Sequence, residues 1–264
     1  MISKIIIFTD LDGTLLHSET FEFEKIRQYI KNLLSKNISI IPNSSKTKAE
    51  ILNFCHELKA ELPFIAENGA AIYKMNLINS DFPEKIILSR DKDEILNVFL
   101  KKTPKKLISK CKFVLKLKKD EQLKIFGLSE KQLSYASDRE FSVPLIFQGN
   151  KIEKNNLFKL VSDMGLTMQE GGRVINLSDN VGKSFAMKKV RRIFDKTEKQ
   201  ELKIIGVGDN FNDLNMLKNS DIACLVFNEK FKLDTLNINN CLVSKKPAPE
   251  GWEEVVKMAL EKIQ

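Results

Sequence analysis

The sequence has few of the residues that mark zinc-binding, disulfide-stabilised or membrane-spanning proteins. Its only histidines are His17 and His56, which excludes a histidine-rich metal site. The four cysteines are widely scattered and form neither a CxxC pair nor a zinc-ligand spacing. Scattered thiols suit a reducing compartment, so we predict a cytoplasmic protein. The early apolar run "IIIF" is too short for a signal peptide or a membrane span, which predicts no membrane association.

The charge of the chain predicts an anionic partner. A net charge of +8 and a pI near 9.1 attract nucleic acid, acidic membrane surfaces or small anionic substrates. Most aromatic residues are phenylalanines in apolar runs, and they do not alternate with basic residues as on a nucleic-acid stacking surface. We therefore predict a small anionic substrate and no nucleic acid, and we keep a basic nucleic-acid-binding protein as the non-enzymatic alternative.

The order of apolar and amphipathic segments predicts the fold class. The 264 residues suffice for one large domain or two smaller ones. Apolar runs predict strands at 4–9, 38–42, 203–209 and 222–227, and a strand, turn and strand within 64–73. Amphipathic patterns predict helices at 22–36, 46–58, 182–195, 210–218 and from 250 onward. This alternation favours an α/β protein with a parallel sheet and helices on both faces.

The middle of the chain departs from this pattern. From 84 to 177 the predicted helices are more charged and the strands are isolated, and the segment 101–119 carries a dense lysine run. A lysine run of this kind is typical of a solvated face. We predict one α/β domain formed by 1–83 and 178–264, interrupted by an inserted smaller domain at 84–177.

Acidic residues follow two of the predicted strands. In "KIIIFTDLDGTLL" (4–16) the strand leads into Asp10 and Asp12, and in "GVGDNFND" another strand leads into Asp209 and Asp213. Ligands of open parallel sheets bind beyond the carboxyl ends of the strands, so these acids are expected to meet across one crevice. So much negative charge requires a cation, and Mg²⁺ is the one that carboxylates and a phosphate hold together.

Other interpretations of the two acidic motifs are weaker. A calcium-binding loop requires glycine at its sixth position and glutamate at its twelfth, whereas here Gly13 is fourth and Phe21 is twelfth. A dinucleotide fingerprint requires a third glycine where Phe211 stands. A simple turn with a helix cap remains the alternative for Asp10–Gly13.

Two further motifs favour phosphate binding. In "PNSSKTKAE" (42–50), Ser44 or Ser45 either caps the next helix or holds a phosphate with the backbone N–H groups there. "DNVGKS" (179–184) is not a P-loop, because Leu177 stands where the first glycine is required. Lys183 alone would be a surface lysine, but beside a carboxylate cluster it becomes a phosphate partner.

Together these elements resemble the haloacid dehalogenase superfamily of phosphotransferases. The matches are D-x-D-G-T from Asp10, a hydroxyl residue at Ser44, Lys183, and G-D-x-x-N-D from Gly208. The resemblance implies a Rossmann-like parallel-sheet core with an inserted α+β cap domain of the C2B type. It also implies a phosphatase mechanism with Asp10 as the nucleophile and Asp12 as the group that donates and accepts protons.

The resemblance implies roles for the remaining core motifs. Mg²⁺ would be held by the Asp10 carboxylate, the Asp12 backbone carbonyl and Asp209. Ser44 and Lys183 would hold phosphoryl oxygens. The supporting residues would be Asn212 and Asp213, with Asp213 orienting a metal-bound water or Lys183.

A finer resemblance covers nearly the whole chain and points to the mannosyl-3-phosphoglycerate phosphatase family. The matching stretches are "FTDLDGTLL", "SSKTKAE", "PFIAENGAAI", "REFSVPLIF", "GGRVINL", "GVGDNFNDLNML" and "APEGW". It implies hydrolysis of mannosyl- or glucosyl-3-phosphoglycerate to a glycosylglycerate, a compatible solute. The alternatives are a phosphatase for sucrose-phosphate or a range of hexose phosphates and, less favoured, a hexose-phosphate mutase.

Such a substrate carries a carboxylate and a hexose beside the phosphate. Arg139 and Arg173 are the candidates for the carboxylate, because a guanidinium binds one bidentately, and structural salt bridges are the alternative for both. Glu67 and Asn68 have the chemistry for sugar hydroxyls, although Asn68-Gly69 is also a turn signal. Trp252 is interpreted as a core aromatic residue at a helix start.

Overall fold

The structure is a computed structural model that describes residues 4–171, 173–229, 238 and 240–263. In chain order its strands are β1 (Lys4–Thr9), β2 (Ser39–Pro42), β3 (Phe64–Ala66), β4 (Ala71–Tyr73), β5 (Lys85–Ile87), β6 (Cys111–Phe113), β7 (Ser142–Phe147), β8 (Leu166–Glu170), β9 (Ile175–Asp179), β10 (Leu202–Gly208), β11 (Ile222–Leu225) and β12 (Leu242–Val243). Its α-helices are α1 (Arg27–Ser35), α2 (Lys48–Leu58), α3 (Lys92–Lys102), α4 (Lys105–Ile108), α5 (Lys119–Phe126), α6 (Glu130–Ser137), α7 (Lys151–Asp163), α8 (Lys183–Thr197), α9 (Leu214–Lys218) and α10 (Glu250–Ile263).

The chain divides into two compact units. The core unit comprises Met1–Ser45, Phe54–Ile86 and Gly182–Gln264. The inserted unit comprises Lys46–Asn53 and Ile87–Val181. Its main segment begins and ends a few residues later than the 84–177 expected from the sequence. It also takes in the first turns of α2, where the Thr47 hydroxyl donates a hydrogen bond to the Tyr135 carbonyl over 2.8 Å.

The core unit is built on a five-stranded parallel sheet, which confirms the predicted fold class. The strand order is β12-β11-β10-β1-β2, and every neighbouring pair is parallel. β1 and β10 each have a neighbouring strand on both sides. Helices on both faces of such a sheet bury both faces of its inner strands, and this explains why both strands are mostly apolar. Their central position brings the carboxyl ends of β1 and β10 side by side.

Helices of the core unit are held by apolar stripes. In α8 the buried positions recur at helical spacing, at Ala186, Met187, Val190 and Phe194. Short 3-10 turns, at Glu24–Ile26 and Phe211–Asp213, precede α1 and α9, where the sequence predicted helix from 22 and from 210.

One predicted strand lies outside the parallel sheet. β3 belongs to a separate three-stranded sheet in the order β3-β4-β5, and it pairs with β4 antiparallel. A single parallel bridge from Asn43 to Ile65 links it to the end of β2. β3 is only three residues long. The tight turn after Ala66 reverses the direction of the chain, so that β4 pairs with β3 as an antiparallel hairpin.

The inserted unit has a four-stranded antiparallel sheet in the order β6-β7-β9-β8. One face packs on α3 and α7 through a buried apolar cluster: Ile95, Phe99, Val143, Leu145, Leu157, Val161, Leu166, Met168, Ile175 and Leu177. A smaller cluster around Val114, Phe126 and Leu133 lies at α5 and α6.

Several lysines of the run 101–119 are held in ion pairs. Lys110, Lys112 and Lys119 lie within 3.0 Å of Glu153, Glu121 and Glu130, respectively. Lys101, Lys102 and Lys105 are exposed. Among the described helices, none has both the length and the apolar character needed to cross a membrane.

Candidate active site

Three carboxylates come together where the central strands of the core unit end. Asp10 directly follows β1 and Asp209 directly follows β10, and the Asp10 amide donates to the Val207 carbonyl over 3.0 Å. Asp213 ends the 3-10 turn beyond Asp209. Carboxylate oxygens of the three acids all lie within 4.8 Å of one another, and all three residues are buried. The predicted meeting of the two acidic motifs is thus present in the structure.

The loop after β1 turns sharply around Gly13. The amides of Thr14, Leu15 and Leu16 all donate to the Leu11 carbonyl, and Asp12 forms an isolated bridge with Leu16. Gly13 has φ +76°, and a Cβ there would lie 2.7 Å from an Asp209 carboxylate oxygen. Glycine is therefore required both by the left-handed backbone and by the close approach of Asp209.

Asp10 is fixed through both its side chain and its backbone. The Leu11 amide donates to Asp10 Oδ1 over 2.7 Å. Lys183 Nζ lies 2.9 Å from Asp10 Oδ2. On the backbone side, the Trp252 indole donates to the Thr9 hydroxyl, which in turn donates to the Asp10 carbonyl over 2.7 Å. Trp252 is fully buried, so the core aromatic predicted from the sequence also supports the end of β1.

Asp209 is held by neutral donors on both oxygens. The Thr14 hydroxyl donates to Oδ1 and the Asn228 side-chain amide donates to Oδ2, each over 2.8 Å. Sequence reasoning gave no role to either residue. The position of Thr14 inside the D-x-D-G-T motif was a usable signal. Asn228 lies shortly after β11, the strand that pairs with β10. Its position beyond the end of a strand was the one sign in the sequence that it could reach the site.

Asp213 and Lys183 form a buried ion pair beneath the site. Lys183 opens α8 and is 3% exposed, and its ammonium donates to Asp213 Oδ1 over 2.7 Å. Asp213 Oδ2 accepts from the amides of Asp209 and Asn210. Asp213 therefore orients Lys183 and the loop after β10, while Asn212 in the same turn is exposed.

The electrostatics of the cluster favour a bound cation. Burial, followed by the negative charges of Asp213 and Asp10, raises the pKa of Asp209. Burial lowers the pKa of Lys183, but the carboxylates of Asp10 and Asp213 outweigh it and raise the pKa overall. One ammonium faces three carboxylates, so two negative charges are left in excess when all are ionised. Oxygen donors around such an excess are the chemistry that Mg²⁺ takes.

Ser44 lies at the end of β2 and is 1% exposed. Its amide donates to the Ile65 carbonyl over 3.1 Å, and its own carbonyl accepts from the Asn68 amide over 2.8 Å. These bonds tie the candidate phosphate residue to β3 and to the turn that follows it.

That turn has an unusual backbone. Glu67 and Asn68 have φ of 47° and 58°, and Gly69 has φ of 98°. A side chain at Gly69 would collide with the Gly182 carbonyl, so the turn packs directly against the residue before Lys183. Consecutive non-glycine residues in the left-handed region cluster at functional sites, where surrounding structure holds them. Both Glu67 and Asn68 are buried.

The two candidate arginines belong to the inserted unit and differ sharply from each other. Arg139 is 7% exposed, and its guanidinium donates to the Ser142 hydroxyl over 2.9 Å. Its Nε is buried without a hydrogen-bond partner. Arg173 is exposed and its guanidinium donates to the Phe126 carbonyl.

The sequence pattern of the haloacid dehalogenase-like hydrolases matches residues 7–235. A glucosyl-3-phosphoglycerate/mannosyl-3-phosphoglycerate phosphatase from Persephonella marina is 30% identical over 269 residues and spans 98% of both chains. A protein of the same name from Methanococcoides burtonii is 29% identical over 262 residues and spans 96% of both chains.

A solved structure is similar in fold. It is a sugar phosphatase of subclass IIB of the same superfamily, and it aligns with 98% of each chain, at a TM-score of 0.64 and 16% identity. The likeness therefore extends over the core unit and the inserted unit alike.

Proposed function

The chain belongs to the haloacid dehalogenase-like hydrolase family and is a phosphatase, and from that premise we propose that it hydrolyses mannosyl- or glucosyl-3-phosphoglycerate with Mg²⁺. The observation that carries the proposal is the buried cluster of Asp10, Asp209 and Asp213 around Lys183 at the strand ends. The names of the two relatives support the substrate.

Asp10 is the proposed nucleophile. One of its carboxylate oxygens forms a bond to phosphorus, the bond from phosphorus to the glycerate oxygen breaks, and Asp12 donates a proton to that departing oxygen. Water then attacks phosphorus of the aspartyl phosphate, Asp12 accepts a proton from this water, and the bond from phosphorus to the Asp10 oxygen breaks to release phosphate and the free carboxylate. Covalent catalysis of this kind divides one difficult displacement into two easier ones.

Asp10, the Asp12 backbone carbonyl and Asp209 are the proposed ligands of Mg²⁺. When bound, the ion supplies positive charge that offsets the phosphate and the carboxylates. Lys183 already lies 2.9 Å from Asp10, so it is placed to stabilise negative charge that develops on the phosphoryl oxygens. Ser44 is the proposed hydroxyl donor to the same oxygens.

The burial of Arg139 favours a substrate that carries a carboxylate. Burying a guanidinium is costly unless it is paired, because the charge loses its hydration. Arg139 is 7% exposed, and its guanidinium donates to the neutral Ser142 hydroxyl. An anionic group of the substrate would complete its pairing, and a glycosyl-phosphoglycerate brings a carboxylate in addition to the phosphate. Arg173 is the weaker candidate, since it is exposed and bonded to a backbone carbonyl.

The product would be a glycosylglycerate, which is a compatible solute. We place the reaction in the cytoplasm, since the four cysteines are free thiols.

Phosphate release from a panel of esters tests the proposal. We expect kcat/KM for the two glycosyl-3-phosphoglycerates to exceed that for sucrose-phosphate and hexose phosphates. Excess chelator should stop the reaction and added Mg²⁺ should restore it. A preference for hexose phosphates would identify a general sugar phosphatase instead, and full activity in chelator would rule out the metal role.

Replacing Arg139 tests whether this residue recognises the carboxylate of the substrate or its phosphate. Arg139→Ala should weaken kcat/KM for the glycosyl-3-phosphoglycerate by roughly 1.5–3 kcal/mol, the cost of a hydrogen bond to a charged group. Hydrolysis of p-nitrophenyl phosphate, which has no carboxylate, should hardly change. Arg192→Ala, an exposed position in α8, is the matched control. Equal losses on both esters would mean that Arg139 supports the fold or the phosphate.

A further inference from the structure

Asn43 is the residue before Ser44, and its side chain is enclosed by the core unit. It directly follows β2 and is 0% exposed. Its backbone amide donates to the Thr9 carbonyl over 2.7 Å, which fixes the residue beside the end of β1. Burying a side-chain amide is unfavourable unless its hydrogen bonds are made, so the partners of Asn43 indicate why a polar residue stands there.

The side-chain amide of Asn43 reaches the backbone of Lys183. Asn43 Nδ2 donates to the Lys183 carbonyl over 3.0 Å and to Met216 Sδ over 3.4 Å. A carbonyl oxygen only accepts hydrogen bonds, so the NH₂ group must face Lys183 and the side-chain oxygen must face away from it. Within the described parts of the chain, Asn43 Oδ1 is buried and has no hydrogen-bond partner. The side chain therefore makes its bond to Lys183 while its own oxygen stays unsatisfied.

This bond anchors a helix start that has no side-chain cap. Lys183 is the first residue of α8, and Gly182 before it makes no capping hydrogen bond through a side chain. The first amides of a helix have no partner within the helix, and glycine offers them no side-chain oxygen. A carbonyl oxygen has two lone pairs, so the Lys183 carbonyl can accept from Asn43 in addition to a bond within the helix. Asn43 thus fixes the backbone of Lys183 from outside α8.

The same bond joins the two residues that are proposed to hold phosphoryl oxygens. Ser44 is the chain neighbour of Asn43, and the Lys183 ammonium lies 2.9 Å from Asp10 Oδ2. Asp10 and Asp213 hold the ammonium, but contacts at the tip of a long side chain leave its backbone free to shift. A misplacement of about 1 Å in a group that stabilises the reaction can cost on the order of 10²-fold in rate.

We propose that Asn43 is a positioning residue that holds Lys183 in place for phosphoryl transfer. The inference rests on the proposed function and extends it, since it adds a residue that acts through Lys183 rather than on the substrate. Asn43 takes no part in bond breaking. Its effect falls on the phosphoryl group, which all ester substrates share, and not on the glycosyl group.

Asn43→Leu tests the proposal, because leucine has the same branched shape but donates no hydrogen bond. We expect kcat to fall roughly ten-fold on glucosyl-3-phosphoglycerate and equally on p-nitrophenyl phosphate, with the Mg²⁺ dissociation constant from calorimetry within about two-fold of wild type. The urea midpoint should not fall in proportion, because a buried oxygen without a partner is removed as well. A purely structural residue would lower the midpoint and leave kcat of the folded protein unchanged.

Two further variants complete the test. Met216→Leu removes the other acceptor of Asn43 Nδ2 and should keep kcat within about two-fold of wild type. Asn43→Ala makes the same comparison as Asn43→Leu without adding volume, so it decides the question if the leucine variant does not fold.

The outcomes separate this inference from the proposed function. If the wild-type chain hydrolyses neither ester, both are wrong. If it hydrolyses only p-nitrophenyl phosphate, the proposed substrate is wrong, and kcat on that ester decides the role of Asn43. Wild-type kcat in a folded Asn43 variant, a loss confined to the glycosyl ester, or an equal loss in Met216→Leu would overturn the positioning role alone.

Discussion

Asp209 illustrates how single residues outside the acidic motifs shape the site. Thr14 and Asn228 each donate to one of its oxygens over 2.8 Å. Such outer hydrogen bonds orient a carboxylate and tune its affinity for a metal. They also favour its charged form, and so oppose the effect of burial on its pKa.

Removing Asn228 should therefore weaken Mg²⁺ binding. We predict that Asn228→Ala raises the Mg²⁺ dissociation constant by about 10–100-fold, because Asp209 loses one of its two orienting donors. Titration calorimetry measures this constant without reference to turnover. Asn215→Ala, an exposed asparagine on α9, is the control and should bind Mg²⁺ as the wild type does. Unchanged affinity in Asn228→Ala would remove this residue from the metal site.

At the scale of elements, the inserted unit is tied at the two ends of its main segment. Arg90 follows β5 and Asp179 ends β9. The Arg90 guanidinium donates to both Asp179 oxygens, over 3.0 and 2.7 Å, and the Arg90 amide adds a third bond over 3.0 Å. The hydrogen bonds from Arg90 lower the pKa of Asp179 against the effect of its burial.

This pair gives a pH-dependent contribution to stability. Because the folded pKa of Asp179 is lowered, the contribution is present above the unfolded pKa of about 3.9 and is lost as the pH falls through the folded value. We predict that Asp179→Asn costs about 1 kcal/mol of unfolding free energy at pH 7. The difference from wild type should shrink below about pH 4.

Urea unfolding between pH 7 and pH 3 measures the effect. Asp163→Asn, which removes an exposed carboxylate at the end of α7, controls for the change of net charge. A difference between Asp179→Asn and wild type that stays constant down to pH 3 would mean that the ion pair contributes no stability.

At the scale of the whole molecule, the core unit was largely predictable from the sequence. Continuous apolar runs identify β1 and β10, and the rule that strand ends meet explains why Asp10 and Asp209 were expected together. The separate sheet of β3 was not predicted, since a three-residue strand carries no signal of its partner. The inserted unit was less predictable still, because its antiparallel strands lack the regular strand–helix alternation.

The environments of individual side chains could not be predicted from the sequence. Arg139 was chosen for its chemistry, but its burial depends on strands that are distant in the chain. Trp252 was expected as a core residue, and its hydrogen bond to Thr9 spans 243 positions.

The central claim is that Asp10 forms the bond to phosphorus, and the turnover of Asp10→Asn on mannosyl-3-phosphoglycerate in Mg²⁺ tests it most directly. Asparagine keeps the shape of the side chain but removes the nucleophile, so we predict that turnover is abolished while the thermal unfolding curve still shows a folded protein. Near-normal turnover by a folded Asp10→Asn variant would contradict the account.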